Sequence, residues 1–261
     1  MKLATVRVPR SAEAVTGEVV DDRVIEFAGD ATVLDLLSGA DTPRHSERSW
    51  PLAEVTLLAP IAAPRAIYGI GLNYAEHARE TGAEGPERPI VFTKVPGSVA
   101  PPGGPIRRPE VVRRLDYEGE LVVVIGAGGT IGGYCVGDDV TGRDLQRREP
   151  QWTRAKGADT FCPYGPWVTT TDEVPDPQQL RLRTWVNSEL RQDASTADMI
   201  FSCPELVEFI GQTCTLAPGD LILTGTPSGV GMALDPPQFL HSGDGVRIQI
   251  ERLGAIEHEV I

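Results

Sequence analysis

The residues best placed to do chemistry are the acids of "LDYEGELVVVIG" and "GGYCVGDDVTGRD". Glu118 and Glu120 stand two positions apart in a segment that reads as a strand, so their side chains project to one face. Carboxylates held that close repel each other and require a cation, a shared proton or open solvent. Asp139 begins the polar end of the next apolar strand. Three hard oxygen donors, with no histidine or cysteine beside them, suit Mg2+ or Mn2+ far better than Zn2+. On that reading, replacing Glu118 by alanine abolishes turnover at little cost to the fold, because it relieves repulsion. The plain alternative is a solvated strand face ending in an ordinary acidic turn.

A second constellation is "GLNYAEHARETG", where Asn73 is expected to cap a helix that Gly82 ends. His77 and Glu80 share a face of that helix, and a carboxylate beside an imidazole raises its basicity and fixes its tautomer. The pair suits a general base, or else is a surface histidine with a local ion pair. The other histidines, His45, His241 and His258, fall in a polar linker, a turn and the terminal tail. Positive charge follows the acids: Arg143 offers a planar fork for a carboxylate and Lys156 a compact point charge. Arg147, Arg148 and Arg154 read as solvated. "LILTGTPSGVG" runs from strand into a glycine-rich turn whose amides could cradle an anion, or which is a structural turn alone. It has neither the lysine of a P-loop nor the strand–turn–helix setting of a dinucleotide fingerprint.

The elements that must hold these groups are mostly short strands. "IYGIGL", "EGELVVVIGA", "GGYCVGDDV", "RLRTWVN", "DLILTGT" and "VRIQIE" are rich in β-branched residues and bounded by Gly, Pro or Asp. "VRIQIE" alternates and predicts one wet face. Upstream, "ATVRVP" and "DRVIEF" predict strands, and Asp30 a cap for a short helix carrying Val33, Leu34, Leu36 and Leu37 on one side. Ser202 and Glu205 form a capping box before Leu206, Val207, Phe209 and Ile210. The pattern predicts an α+β, mainly β chain: a small N-terminal α/β domain over residues 1–58 and a larger body over 59–261. The 28 glycines and 22 prolines fit a loop-rich fold. A net charge of −13 and a pI near 4.8 disfavour nucleic acid or an anionic membrane as partner. No apolar run is long enough to span a bilayer, and the start does not resemble a signal sequence. Four scattered cysteines read as reduced thiols in a cytoplasmic protein.

Taken in order, "GLNYAEH", "DYEGEL", "GDDVTGRDLQ", "AKGADTFCPYGP", "VNSELRQDASTADMIF", "PGDLILTGTPSGVG" and "PPQFLHSGDGVRIQIERLG" resemble the fumarylacetoacetate hydrolase family, over roughly residues 60–261. The resemblance implies a mixed β-sandwich roll, a homodimer, and one Mg2+ or Mn2+ per subunit held by Glu118, Glu120 and Asp139. It implies His77, Glu80 and Lys156 as catalytic groups, and Arg143, Gln146, Gly225 and Thr226 as contacts to a small anionic 2-oxo acid or its enol. The reactions it implies are hydrolytic C–C cleavage of acylpyruvate-like substrates or isomerisation of 2-hydroxy-dienoic diacids, as in aromatic-acid breakdown. Decarboxylation of an oxaloacetate-type acid is the alternative, and a non-catalytic ligand-binding or scaffold role the alternative of another class. The chain has no room for the extra N-terminal domain of the larger fumarylacetoacetate-cleaving enzymes, which weighs against that substrate.

Overall fold

The computed structural model describes residues 1–11 and 13–261. The expected strands form and join into two main sheets. The larger runs, edge to edge, through His45–Pro51, Arg23–Phe27, Ala14–Val20, Lys2–Arg7, Cys162–Thr170, Ile131–Asp138, Gly119–Ile125, Leu221–Leu223, Ile67–Gly71 and Ile90–Lys94. Neighbours along it are antiparallel except Leu221–Leu223 beside Ile67–Gly71. The smaller sheet orders Glu189–Ser195, Arg181–Val186, Gly245–Ile250 and Gly254–Glu259. Gly245–Ile250 buries Val246, Ile248 and Ile250 and exposes Arg247, the alternation its sequence predicts.

Gly119–Ile125 is buried along its whole length, because both its faces are covered. Leu121, Val123 and Ile125 join one apolar cluster with Leu182, Val246 and Ile248 of the smaller sheet. Val122 and Val124 join another with Leu3, Tyr164 and Leu221. Alternate residues of one strand thus seal two cores, and its N-terminal end is left to carry the polar groups.

Helices are few and short, and α+β, mainly β, describes the whole. Cys203–Gly211 follows the Ser202–Glu205 capping box and buries Leu206 and Ile210. Two caps differ from expectation. The helix Val33–Leu37 is capped by Thr32, whose hydroxyl accepts from the Asp35 amide, and not by Asp30. The helix Ala75–Glu80 starts after Tyr74 without a side-chain cap. Asn73 instead donates from Nδ2 to Thr224 O (2.7 Å) and Phe201 O (3.0 Å), and accepts from Phe201 N (2.8 Å). A cap bond supplies one contact, whereas these three tie two distant segments together in a dry site. Gly82 closes the helix at φ 75°, as its position predicts.

Candidate active site

Glu118 lies one residue before Gly119–Ile125, Glu120 within it, and Asp139 one residue beyond the antiparallel partner Ile131–Asp138. The ladder continues past the paired residues: Asp139 N donates to Glu118 O at 2.9 Å. Strand period and register therefore bring all three carboxylates to one place, each offering an oxygen within 4.8 Å of the others. All three are buried, so the solvated-face alternative does not describe them.

Cations answer the charge. Lys156 Nζ lies 2.5 Å from Glu118 Oε2 and 2.6 Å from Asp139 Oδ2. Lys94 Nζ is 2.5 Å from Asp139 Oδ1. Arg143 reaches Glu118 Oε1 through Nη1 (2.7 Å) and Asp116 Oδ2 through Nε (2.8 Å), while its buried Nη2 has no partner. Burial alone would raise the Glu118 carboxyl, but the charges of Lys156 and Arg143 hold it down to about 2. Glu120 goes the other way. Burial, then the Asp139 and Glu118 charges, push its carboxyl well above the usual range. Among the described residues no ammonium or guanidinium pairs with Glu120, which accepts a hydrogen bond from Gly225 N at 2.7 Å. Buried hard oxygens, one of them lacking a counter-ion, are a donor set that fits a hard divalent cation.

His77 and Glu80 are brought to the same place. The imidazole is buried, with Nδ1 2.7 Å from Glu80 Oε1, which leaves Nε2 for the cavity. Glu80 Oε2 in turn accepts from Gly229 N at 2.9 Å, so the glycine-rich turn anchors the pair. His77, Glu118, Arg143, Gln146, Lys156 and Thr226 line one cavity of about 170 Å³, whose other wall is apolar. A larger groove, about 410 Å³ around Trp185 and Arg247, contains none of them.

Gly225 and Thr226 border the carboxylates, but the donors expected to meet a substrate are already engaged. Gly225 N serves Glu120, and Thr226 Oγ1 donates to Gly119 O (3.0 Å) while accepting from Gln192 Nε2 (2.8 Å). In this arrangement both residues hold the strand that carries the acids.

Residues 66–261 match the fumarylacetoacetate (FAA) hydrolase C-terminal family. The chain belongs to the fumarylacetoacetate hydrolase family. It is 45% identical over 225 residues to oxaloacetate tautomerase YisK of Bacillus subtilis, covering 81% of this chain and 75% of that one. Fumarylacetoacetate hydrolase (EaFAH) from psychrophilic Exiguobacterium antarcticum superposes with a TM-score of 0.88 at 33% identity, covering 100% of this chain and 99% of the other. The 5-carboxymethyl-2-hydroxymuconate delta-isomerase of Mycobacterium smegmatis does so with 0.83 at 36% identity, over 100% and 99%.

This fumarylacetoacetate hydrolase family member is an enzyme. Three residues at its site escaped the sequence reading. Asp116 carried a signal, because it extends the alternate spacing of Glu118 and Glu120; it accepts from Gly231 N (2.8 Å) and Met232 N (3.0 Å) and fixes Arg143. Lys94 carried another: the chain has only three lysines, Lys2, Lys94 and Lys156, and the last two are buried here. Gln192 carried none. No helix among the described residues is long and apolar enough to cross a membrane.

Proposed function

We propose that the protein is a Mg2+- or Mn2+-dependent enzyme that moves a proton between carbon and oxygen of a small 2-oxo diacid, an oxaloacetate-type keto–enol isomerisation. Glu118, Glu120 and Asp139 would hold one ion per subunit. When bound, it would polarise the 2-oxo group and lower the acidity barrier of the neighbouring carbon. The observation that carries the reading is a base and an ammonium lining one cavity: His77, its Nδ1 engaged by Glu80, and Lys156 on the carboxylate side.

His77 Nε2 takes the proton from the carbon next to the 2-oxo group, and a proton is delivered to the 2-oxygen to complete the enol. Glu80, tethered by Gly229, keeps the ring oriented and favours its charged form after pickup. Lys156 places positive charge where negative charge gathers on the oxygen. Arg143 offers the unpartnered Nη2 to a carboxylate, and Gln146 Oε1 steadies Nη1 from 3.1 Å. The apolar wall limits water. The same dyad could activate water, which favours hydrolytic cleavage of an acylpyruvate as the second reading. Assembly as a homodimer and a cytoplasmic setting belong to the proposal.

The test follows enol absorbance, pyruvate and CO2 separately, with oxaloacetate and an acylpyruvate, in Mn2+ and in chelator. Metal-dependent loss of enol without pyruvate or CO2 is expected. Stoichiometric pyruvate from the acylpyruvate would favour hydrolysis, CO2 decarboxylation, and no turnover a binding role. His77→Asn should lower kcat at least a hundredfold with Mn2+ affinity retained; full kcat in that variant refutes His77 as the base.

A further inference from the structure

Ile67–Gly71 carries two glycines, Gly69 and Gly71, on one face. A Cβ on Gly69 would stand 2.3 Å from Phe92 Cζ, and one on Gly71 3.2 Å from Trp152 Cζ3. The missing side chains are thus replaced by rings, Phe92 from the neighbouring edge strand and Trp152 from the residue that starts the helix Thr153–Lys156. The rings meet edge to face with centroids 5.4 Å apart, and Lys156 Nζ lies 5.0 Å from the Phe92 centroid. The aromatic wall is therefore locked at one end by the catalytic-side ammonium and at the other by Trp152. Both rings line the 170 Å³ cavity that holds His77 and Arg143.

The inference rests on the 2-oxo acid reading above. With the 2-oxo acid end at the carboxylate cluster, the remainder of the substrate extends toward the rings. Arg143, whose buried Nη2 lacks a partner, and Trp152 line the same cavity, so a second carboxylate finds its cation in the space that the indole bounds. We propose that Trp152 sets the length of the substrate: a 2-oxo diacid of oxaloacetate's length fits, and longer acyl or dienoic chains collide with the indole. The ring is well placed for that work, because a helix start can be altered without touching the strands that carry the acids.

The experiment compares kcat/KM for oxaloacetate and for a longer acylpyruvate in wild type, Trp152→Phe and Trp152→Ala, with Mn2+ affinity measured by calorimetry in each. Wild type should favour the short acid, and Trp152→Ala should shift the ratio toward the long one by about tenfold or more, the scale of added room in an apolar pocket. Trp152→Phe, which preserves a ring against Phe92, should shift it less and carries the test if the alanine variant fails to fold. Mn2+ affinity should stay the same throughout. A ratio unchanged across active variants, or a wild type that prefers the long acid, overturns the assignment of Trp152 alone. A wild type that binds Mn2+ and turns over neither acid overturns the 2-oxo acid reading, and the length rule with it.

Discussion

Glu118 stands between Lys156 and Arg143, and that pairing reverses an expectation about its removal. Read as one of three mutually repelling acids, it could be deleted cheaply. In the fold, Glu118→Ala leaves two buried cations each short of a partner. The loss should be on the order of 3 kcal/mol, measured by urea unfolding in chelator, and Mn2+ binding should vanish in the same variant. Unfolding at wild-type urea concentrations would mean that the cations regain water. The acids were legible because strand period acts locally: two residues apart means one face, and Asp139 ends the next strand. Lys94 was marked only by the scarcity of lysine, and Gln192 by nothing, since each arrives from an element remote in sequence.

At the scale of elements, the strand Ile67–Gly71 shows how close packing shapes the cavity. Gly69 has no space for a methyl, because Phe92 ring atoms crowd the position at 2.3–2.9 Å. Gly69→Ala should cost about 1–3 kcal/mol, seen as a lower unfolding temperature. It should also impair turnover, because Phe92 lies beside Lys156. An alanine variant with wild-type stability and kinetics would show that the edge strand yields freely. Strand spans were readable from β-branched runs and turn residues, and the cap of Cys203–Gly211 from its box. Asn73 was misread because its tertiary partners, Phe201 and Thr224, are far along the chain. The short helices Arg143–Arg148 and Thr153–Lys156 lie in a polar stretch without apolar periodicity, so local pattern could not announce them.

Across the whole molecule, the strand order does what no local signal specifies. Leu221–Leu223 lies between Gly119–Ile125 and Ile67–Gly71, which carries Gly225 to Glu120 and Asn73 to Thr224. The N-terminal strands extend the same sheet, Lys2 and Leu3 pairing with Thr169 and Val168, and Ala4, Val6, Val19 and Val24 packing with Trp167. A fragment of residues 59–261 would present the bare edge of Cys162–Thr170 and the uncovered indole. It should self-associate in size-exclusion chromatography; a monodisperse, active fragment would instead establish 59–261 as a domain that folds alone.

Lysine scarcity has a practical consequence. With Lys94 and Lys156 sealed among carboxylates, the lysine left to an acylating reagent is Lys2. Amine-reactive dyes, ordinarily a source of heterogeneous conjugates, should therefore tag the lysines of this protein at Lys2 alone, leaving turnover intact. Mass spectrometry of tryptic peptides checks it: label on Lys156 in the folded enzyme would mean that the acid cluster opens to solvent.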